Sequence, residues 1–253
     1  MLKNRLRNNV LTIGSWLTIG HQSIAEIMVK SGFEWLTVDL EHSSISIDKA
    51  QSLIRVIELS GCIPLVRVGE NNPTFIKRVM DAGAHGVIVP MVNCDKDAER
   101  AVSAVKYPPD GTRGVGLARA QGYGYKFGEY RDWLKKESVV IVQIEHIKAI
   151  ENLESILAVP GVDGSIIGPY DLSGSLGFPG EFDKLEVKDA IKRYEEICHR
   201  LKKPMGMHVV KPDLIEAAKY IKNGYTFLAL GVDMLFLGDK CRDLLKGLKG
   251  DLT

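Results

Sequence analysis

IVQIEH at 141–146 and IIGPYDLSGSLG at 166–177 decide how this chain folds. Each opens as an apolar, β-branched run of the kind expected of a strand buried on both faces. Each then ends abruptly at an acidic residue, Glu145 in the first and Asp171 in the second. A carboxylate placed where a buried strand emerges is costly unless a cation meets it. Two such carboxylates could share one divalent cation.

Outward from these runs, strand and helix patterns alternate along the whole chain. Strands are expected at 10–17, 35–39, 63–68, 86–89, 138–144, 163–167, 205–210 and 226–230. Between them, apolar residues recur at helical spacing: Ile24, Ile27 and Met28; Ala50, Leu53, Ile54 and Ile57; Phe75, Ile76, Val79 and Met80; Ala98, Ala101, Val102 and Val105. The pattern continues through 147–157, 186–201 and 214–222, with a last helix over 234–248. Gly32, Gly61, Gly83 and Gly224 stand where helix C-caps are wanted, and Pro73 suits a first turn. One long segment, 107–128, carries six glycines from 111 onward and reads as irregular.

Eight strands alternating with eight helices predict a single (β/α)₈ TIM barrel over 1–253. The rival doubly wound sheet is disfavoured. No GxGxxG follows the first strand, no Walker A run exists, and GTRGVG at 111–116 follows a PP pair instead of a strand.

Composition narrows the function. Thirty-three Lys and Arg against 32 Asp and Glu give a formal charge of +1, which argues against nucleic acid or an anionic membrane as main partner. Cys62, Cys94, Cys198 and Cys241 form no CxxC pair and read as small buried hydrophobes of a reducing compartment. No apolar run approaches the roughly 20 residues of a membrane span, and the first residues lack the pattern of a signal peptide. A cytoplasmic protein is expected.

In a barrel of this kind the chemistry sits where strands end. That rim collects Trp16, then Asp39, Glu41 and His42, then Arg67, Gln143 and Glu145, Asp171 and Ser173, His208 and Lys211, and Asp233. Any one of them alone is more often an ordinary ion pair or helix cap; a set converging on one rim reverses that expectation. Glu145 and Asp171 are hard oxygen ligands suited to Mg²⁺ or Mn²⁺, with waters and a chelating substrate completing the shell. Arg67 offers a planar fork to a carboxylate or enolate oxygen. Asp39, three residues before His42, could orient and polarise its imidazole as a general base.

VDLEH at 38–42, LVRV at 65–68, IVPMV at 88–92, YPPDGTRGVGLARA at 107–120, VQIEH at 142–146, VDGSIIGPYDLSGSLG at 162–177 and LGVD at 230–233 together resemble the HpcH/HpaI aldolase family, in that family's order and over nearly the whole chain. The resemblance implies a class II aldolase that requires a divalent metal: Mg²⁺ or Mn²⁺, with Co²⁺ a third option. Such an enzyme cleaves or forms a 4-hydroxy-2-oxo acid, giving pyruvate and an aldehyde through a pyruvate enolate on the metal. It further implies Glu145 and Asp171 as metal ligands, Arg67 as the enolate-stabilising group, and His42 with Asp39 as acid/base dyad. Gln143, Pro169, Tyr170, Ser173 and Trp16 would form the substrate pocket. A homo-oligomer, a hexamer with the last helix exchanged between subunits, is implied as well. Tyr170 before the metal-site Asp, and His208 with Lys211 in MHVVKPD at 207–213 where the seventh strand ends, depart from the family's pattern on the aldehyde side.

Three alternatives remain open from sequence. One is a class I aldolase with Lys211 as Schiff-base nucleophile. Another is a barrel lyase acting on an acyl-CoA or phosphoenolpyruvate-type ligand. The third is a barrel that binds a keto acid without turning it over.

Overall fold

The computed structural model describes residues 1–250, so the last three residues of the expected 1–253 domain lie outside the described residues. Eight parallel strands close into a barrel in sequence order. They are β1 (Thr12–Leu17), β2 (Trp35–Asp39), β3 (Ile63–Arg67), β4 (Gly86–Val89), β5 (Val139–Ile144), β6 (Gly164–Ile167), β7 (Met205–Val209) and β8 (Tyr225–Val232). The predicted strands are all present, with bounds that differ by no more than two residues. The fold is the expected TIM barrel.

Strand side chains alternate between the barrel axis and the surrounding helices, the period-two rule of a pleated strand. Trp35, Leu65, Ile88, Ile141, Ile166 and Phe227 fill the interior as one cluster, with Trp35 stacked on Phe227 at 4.2 Å. Val38, Val66, Val87, Val140 and Ile167 face outward into the larger cluster beneath the helices. Gly14 makes the interior possible: a Cβ there would lie 2.0 Å from the Trp35 ring.

The same alternation carries polar residues inward at the strand ends. Following Trp35 in steps of two reaches Asp39, and following Leu65 reaches Arg67. Following Ile141 reaches Gln143 and then Glu145. Buried strands therefore deliver these groups to one rim.

Four helical features depart from the sequence reading. Leu2–Arg7 is a helix whose Leu2 and Leu6 join the interior cluster and close the barrel's N-terminal end. Phe127–Glu137 is a helix within and beyond the segment read as irregular. Pro169–Ser175 is a short helix directly after β6. The predicted 147–157 helix is two, Ile147–Glu151 and Leu153–Ala158. Ile27, placed by spacing on a buried face, is exposed. Within 107–128, buried Arg113 pins the chain down by donating to Asp81 (2.6 Å), the Tyr130 hydroxyl (2.9 Å) and the Val105 carbonyl (3.3 Å).

Candidate active site

A cavity of about 700 Å³ opens at the C-terminal rim, lined among others by Trp16, His42, Arg67, Gln143, Pro169 and Asp171. Arg67 is its best-anchored polar group. Asp39 and Arg67 end their strands opposite one another in the β2–β3 register. Nε of Arg67 donates to Oδ1 of Asp39 at 2.9 Å and Nη2 donates to Oδ2 at 2.7 Å, a bidentate fork. Nη1 lies 3.2 Å from Oε2 of Glu41, and the guanidinium carbon sits 4.3 Å from the centroid of the Trp16 ring. Trp16 stacks in turn on His208 at 5.2 Å, and Nε2 of His208 donates to the Gly231 carbonyl at 3.0 Å.

These contacts correct the expected Asp39–His42 dyad. Asp39 holds no imidazole; its Oδ1 accepts the main-chain N–H groups of Glu41 (3.0 Å) and His42 (3.3 Å) while its carboxylate grips Arg67. The three-residue spacing produced a turn around the carboxylate instead of a side-chain pair. Burial alone would raise the Asp39 pKa, but Arg67 and the two amides outweigh it and hold the carboxyl below the ordinary range. The His42 side chain is two-thirds exposed at the cavity mouth, with Nε2 3.8 Å from Glu41 Oε2.

Glu41 is the site residue to which the sequence assigned no role. Burial first, and then the charges of Glu145, Asp39 and Asp171, push its carboxyl up to about 7 against the opposing pull of Arg67. Its position two residues after the inward-facing Asp39 was the available signal.

Glu145 is buried and lies behind Gln143 and Gly168. Its Oε1 accepts the Met91 N–H at 2.6 Å and its Oε2 accepts from the Gln143 amide. Met91, which donates that N–H, has a left-handed backbone with φ of 52°. Burial nonetheless raises the Glu145 pKa, and the Asp171 charge adds to the rise. Asp171 projects from the first turn of the Pro169–Ser175 helix and is exposed on the neighbouring strand's loop.

The donor set fits a hard divalent cation on three grounds. Two carboxylates that follow adjacent strands repel one another, as the Asp171 charge does in raising the Glu145 pKa, and a cation would relieve that repulsion. Oε1 of Gln143 is buried without a hydrogen-bond partner. Gly168 keeps the space before Glu145 clear, since a Cβ there would come within 3.2 Å of Oε2. Among the described residues no three of His, Cys, Asp and Glu gather as a metal-binding group. Glu145 and Asp171 would therefore share the ion with solvent and substrate oxygens.

Of the other expected pocket residues, Pro169 and Tyr170 line the cavity, and Tyr170 meets Phe182 edge-to-face at 4.9 Å. Ser173 does not line it. It is fully buried, donates to the Tyr170 carbonyl at 2.7 Å and accepts the Gly180 N–H at 2.9 Å, so it ties the short helix to the following loop. Asp233 is likewise structural: it accepts the N–H groups of Thr18 (2.9 Å) and Ile19 (2.7 Å) and fastens the β1 loop to the last helix. Lys211 lines the cavity but is exposed, so nothing desolvates it as a Schiff-base lysine requires.

A sequence model of the family described as HpcH/HpaI aldolase/citrate lyase matches residues 12–238. A 2-dehydro-3,6-dideoxy-6-sulfogluconate aldolase of Pseudomonas putida is 39% identical over 97% of this chain and 95% of its own. A hydroxypyruvate/pyruvate aldolase of Pseudomonas aeruginosa is 36% identical over 98% of this chain and 92% of its own. Among solved structures, an HpcH/HpaI aldolase/citrate lyase family protein from Burkholderia cenocepacia J2315 superposes with a TM-score of 0.90 at 32% identity, covering 98% of both chains.

Proposed function

This chain belongs to the HpcH/HpaI aldolase/citrate lyase family, and from that premise we propose that it is a class II pyruvate aldolase. It cleaves a 2-keto-3-deoxy acid bearing a 4-hydroxyl into pyruvate and an aldehyde. Its similarity to aldolases named for such an acid and for pyruvate supports the reaction class. The observation that carries the reading to particular residues is the fixed Arg67 fork facing the cavity that Asp171 and Gln143 also line.

Glu145 and Asp171 would hold a divalent cation, Mg²⁺ or Mn²⁺ by the hardness of their oxygens. When bound, it supplies Lewis-acid polarisation of the 2-keto and carboxylate oxygens. The remaining work falls to side chains. His42, at the cavity mouth, takes the 4-hydroxyl proton on Nε2. The C3–C4 bond breaks, its electron pair passes into the pyruvate enolate, and the aldehyde leaves. Arg67 donates to the developing enolate oxygen, already oriented by Asp39 and Trp16 and so needing no rearrangement. A proton returned to C3 completes pyruvate. Trp16, Gln143, Pro169 and Tyr170 form the walls.

A homo-oligomer is part of this reading. The Asp233–Gly250 helix exposes Met234, Leu237, Leu244, Leu245 and Leu248, an apolar face that a second subunit would cover. Four unpaired cysteines fit a reducing, cytoplasmic setting, and among the described residues no helix is long and apolar enough to cross a membrane.

The test is a retro-aldol panel of 2-keto-3-deoxy and 4-hydroxy-2-oxo acids coupled to pyruvate detection, run after chelation and after adding back Mg²⁺ or Mn²⁺. Pyruvate release that vanishes with EDTA and returns with the ion is expected. Full activity after chelation, with borohydride trapping pyruvate on Lys211, would replace this reading with the Schiff-base mechanism.

A further inference from the structure

The cavity is larger than pyruvate needs. At about 700 Å³ it lies in the range that holds a drug-sized ligand, roughly 300–1,000 Å³. It runs from Arg67 on β3 to the β7 loop, and these strands stand opposite one another in the closed eight-strand order. A substrate seated with its keto acid near Arg67 and Asp171 therefore has room to extend its other end toward β7.

The wall at that end is mostly apolar, with Phe182, Ile191, Val210 and Leu235 lining it. Two charged side chains interrupt it. Glu216, in the first turn of the Leu214–Lys222 helix, has its Oε1 3.5 Å from the Tyr220 hydroxyl. Lys211 stands in the turn before that helix and forms no ion pair among the described residues. The cavity's other permanent cation, Arg67, is already held by Asp39 and Glu41. Lys211 is thus the lining cation that no carboxylate meets at ion-pair distance among the described residues, although Glu216 lines the same wall.

Resting on the aldolase reading above, we propose that Lys211 reads the far end of the aldehyde portion and selects substrates that carry an anionic group there. A carboxylate, sulfonate or phosphate satisfies it equally, because the ammonium is a compact point charge with rotatable donors and demands no planar fork. It sits at the cavity mouth, where salt screens it in part and the anion retains some water. The reaction is unchanged. Pyruvate C3 gives up a proton, the resulting enolate carbon bonds to the aldehyde carbon, and the aldehyde oxygen takes a proton. Lys211 affects which aldehyde is captured, acting on KM more than on kcat.

The experiment uses the metal-loaded enzyme in the condensing direction with pyruvate and a matched pair of aldehydes, succinic semialdehyde and its neutral methyl ester. The wild-type enzyme should prefer the acid in kcat/KM, and raising the salt from low to molar ionic strength should shrink that preference. In Lys211→Met the acid-over-ester ratio should fall roughly tenfold, chiefly through KM, the loss expected of a charge-assisted contact. Lys211→Arg should retain most of the ratio, and Lys211→Glu should invert it. An acid-over-ester ratio that is the same in wild type, Lys211→Met and Lys211→Glu would overturn the proposal while leaving the aldolase reading intact. Absence of metal-dependent condensation with either aldehyde would instead count against the aldolase reading itself.

Discussion

Arg67 shows how much of this site is electrostatic construction. Its guanidinium lies between the Asp39 carboxylate and the face of Trp16, with Glu41 on its remaining nitrogen. If it stabilises the enolate, Arg67→Ala should lower kcat by about 10²-fold or more. It should also cost stability, because buried Asp39 would lose its partner. Arg67→Lys separates the two effects: the charge stays beside Asp39 and the planar fork is lost, so the melting temperature should recover more than kcat does. Turnover unchanged in Arg67→Ala would remove the residue from the chemistry. His208 offers an acid-side test. Burial, helped by the charge of Arg67 and against the bond to Gly231, pushes its pKa down to about 4. Between that value and the ordinary 6.5 the unfolded chain binds a proton that the folded chain refuses. Stability should therefore rise with pH across this window, the His208 share being at most about 3 kcal/mol, and level off above it. Urea unfolding of His208→Gln between pH 4 and 7 should give a visibly flatter profile than wild type. Parallel profiles would mean that the imidazole titrates normally.

At the scale of elements, strands were legible and short helices were not. Runs such as VVIVQI and GVIV are apolar and β-branched because helices and barrel interior bury both faces, and that burial writes itself into local sequence. Leu2–Arg7 offers only two apolar contacts in six residues, too few for a period to emerge. Phe127–Glu137 is mostly polar with an early glycine, and Pro169–Ser175 contains Gly174 between two serines. The site followed the same division. Which residues reach the rim could be read from strand parity, whereas their partners depend on register between strands, so Asp39 was paired with a sequence neighbour instead of with Arg67 across β2–β3. The Leu2–Arg7 helix makes a prediction of its own. Lys3 is buried, 2.9 Å from Asp163, and also donates to the Ser138 carbonyl at 2.8 Å. Lys3→Met should cost about 3–5 kcal/mol by stranding the Asp163 carboxylate. Adding Asp163→Asn should recover part of the loss, since an amide oxygen can still accept the Val140 N–H. A urea midpoint that Lys3→Met leaves in place would show that the helix is not needed to seal the barrel.

For the whole molecule, the last helix presents an apolar face that nothing among the described residues covers. Met234, Leu237, Leu244, Leu245 and Leu248 are each at least half exposed along Asp233–Gly250. A second apolar group, Val115, Leu117, Tyr123 and Tyr125, is exposed on the 107–128 segment. Isolated apolar side chains on a surface need no explanation, whereas groups of them close together in sequence are the kind of surface that a partner covers. Burying leucines between subunits would contribute about 1.5–3 kcal/mol for each side chain fully removed from solvent. Charges placed on that face would have to be desolvated on association, and identical charges from symmetric copies would repel. Leu245→Glu with Leu248→Glu should therefore shift the protein to a species of lower mass by light scattering. The barrel's far-ultraviolet circular dichroism should be preserved, because neither leucine belongs to its buried clusters. If the active cavity depends on assembly, KM for the aldehyde should rise in the dissociated form, since Leu235 of this same helix lines the β7 side of the cavity. A wild-type protein that already sedimented as a monomer, with the double variant unchanged in mass and KM, would remove oligomerisation from the account.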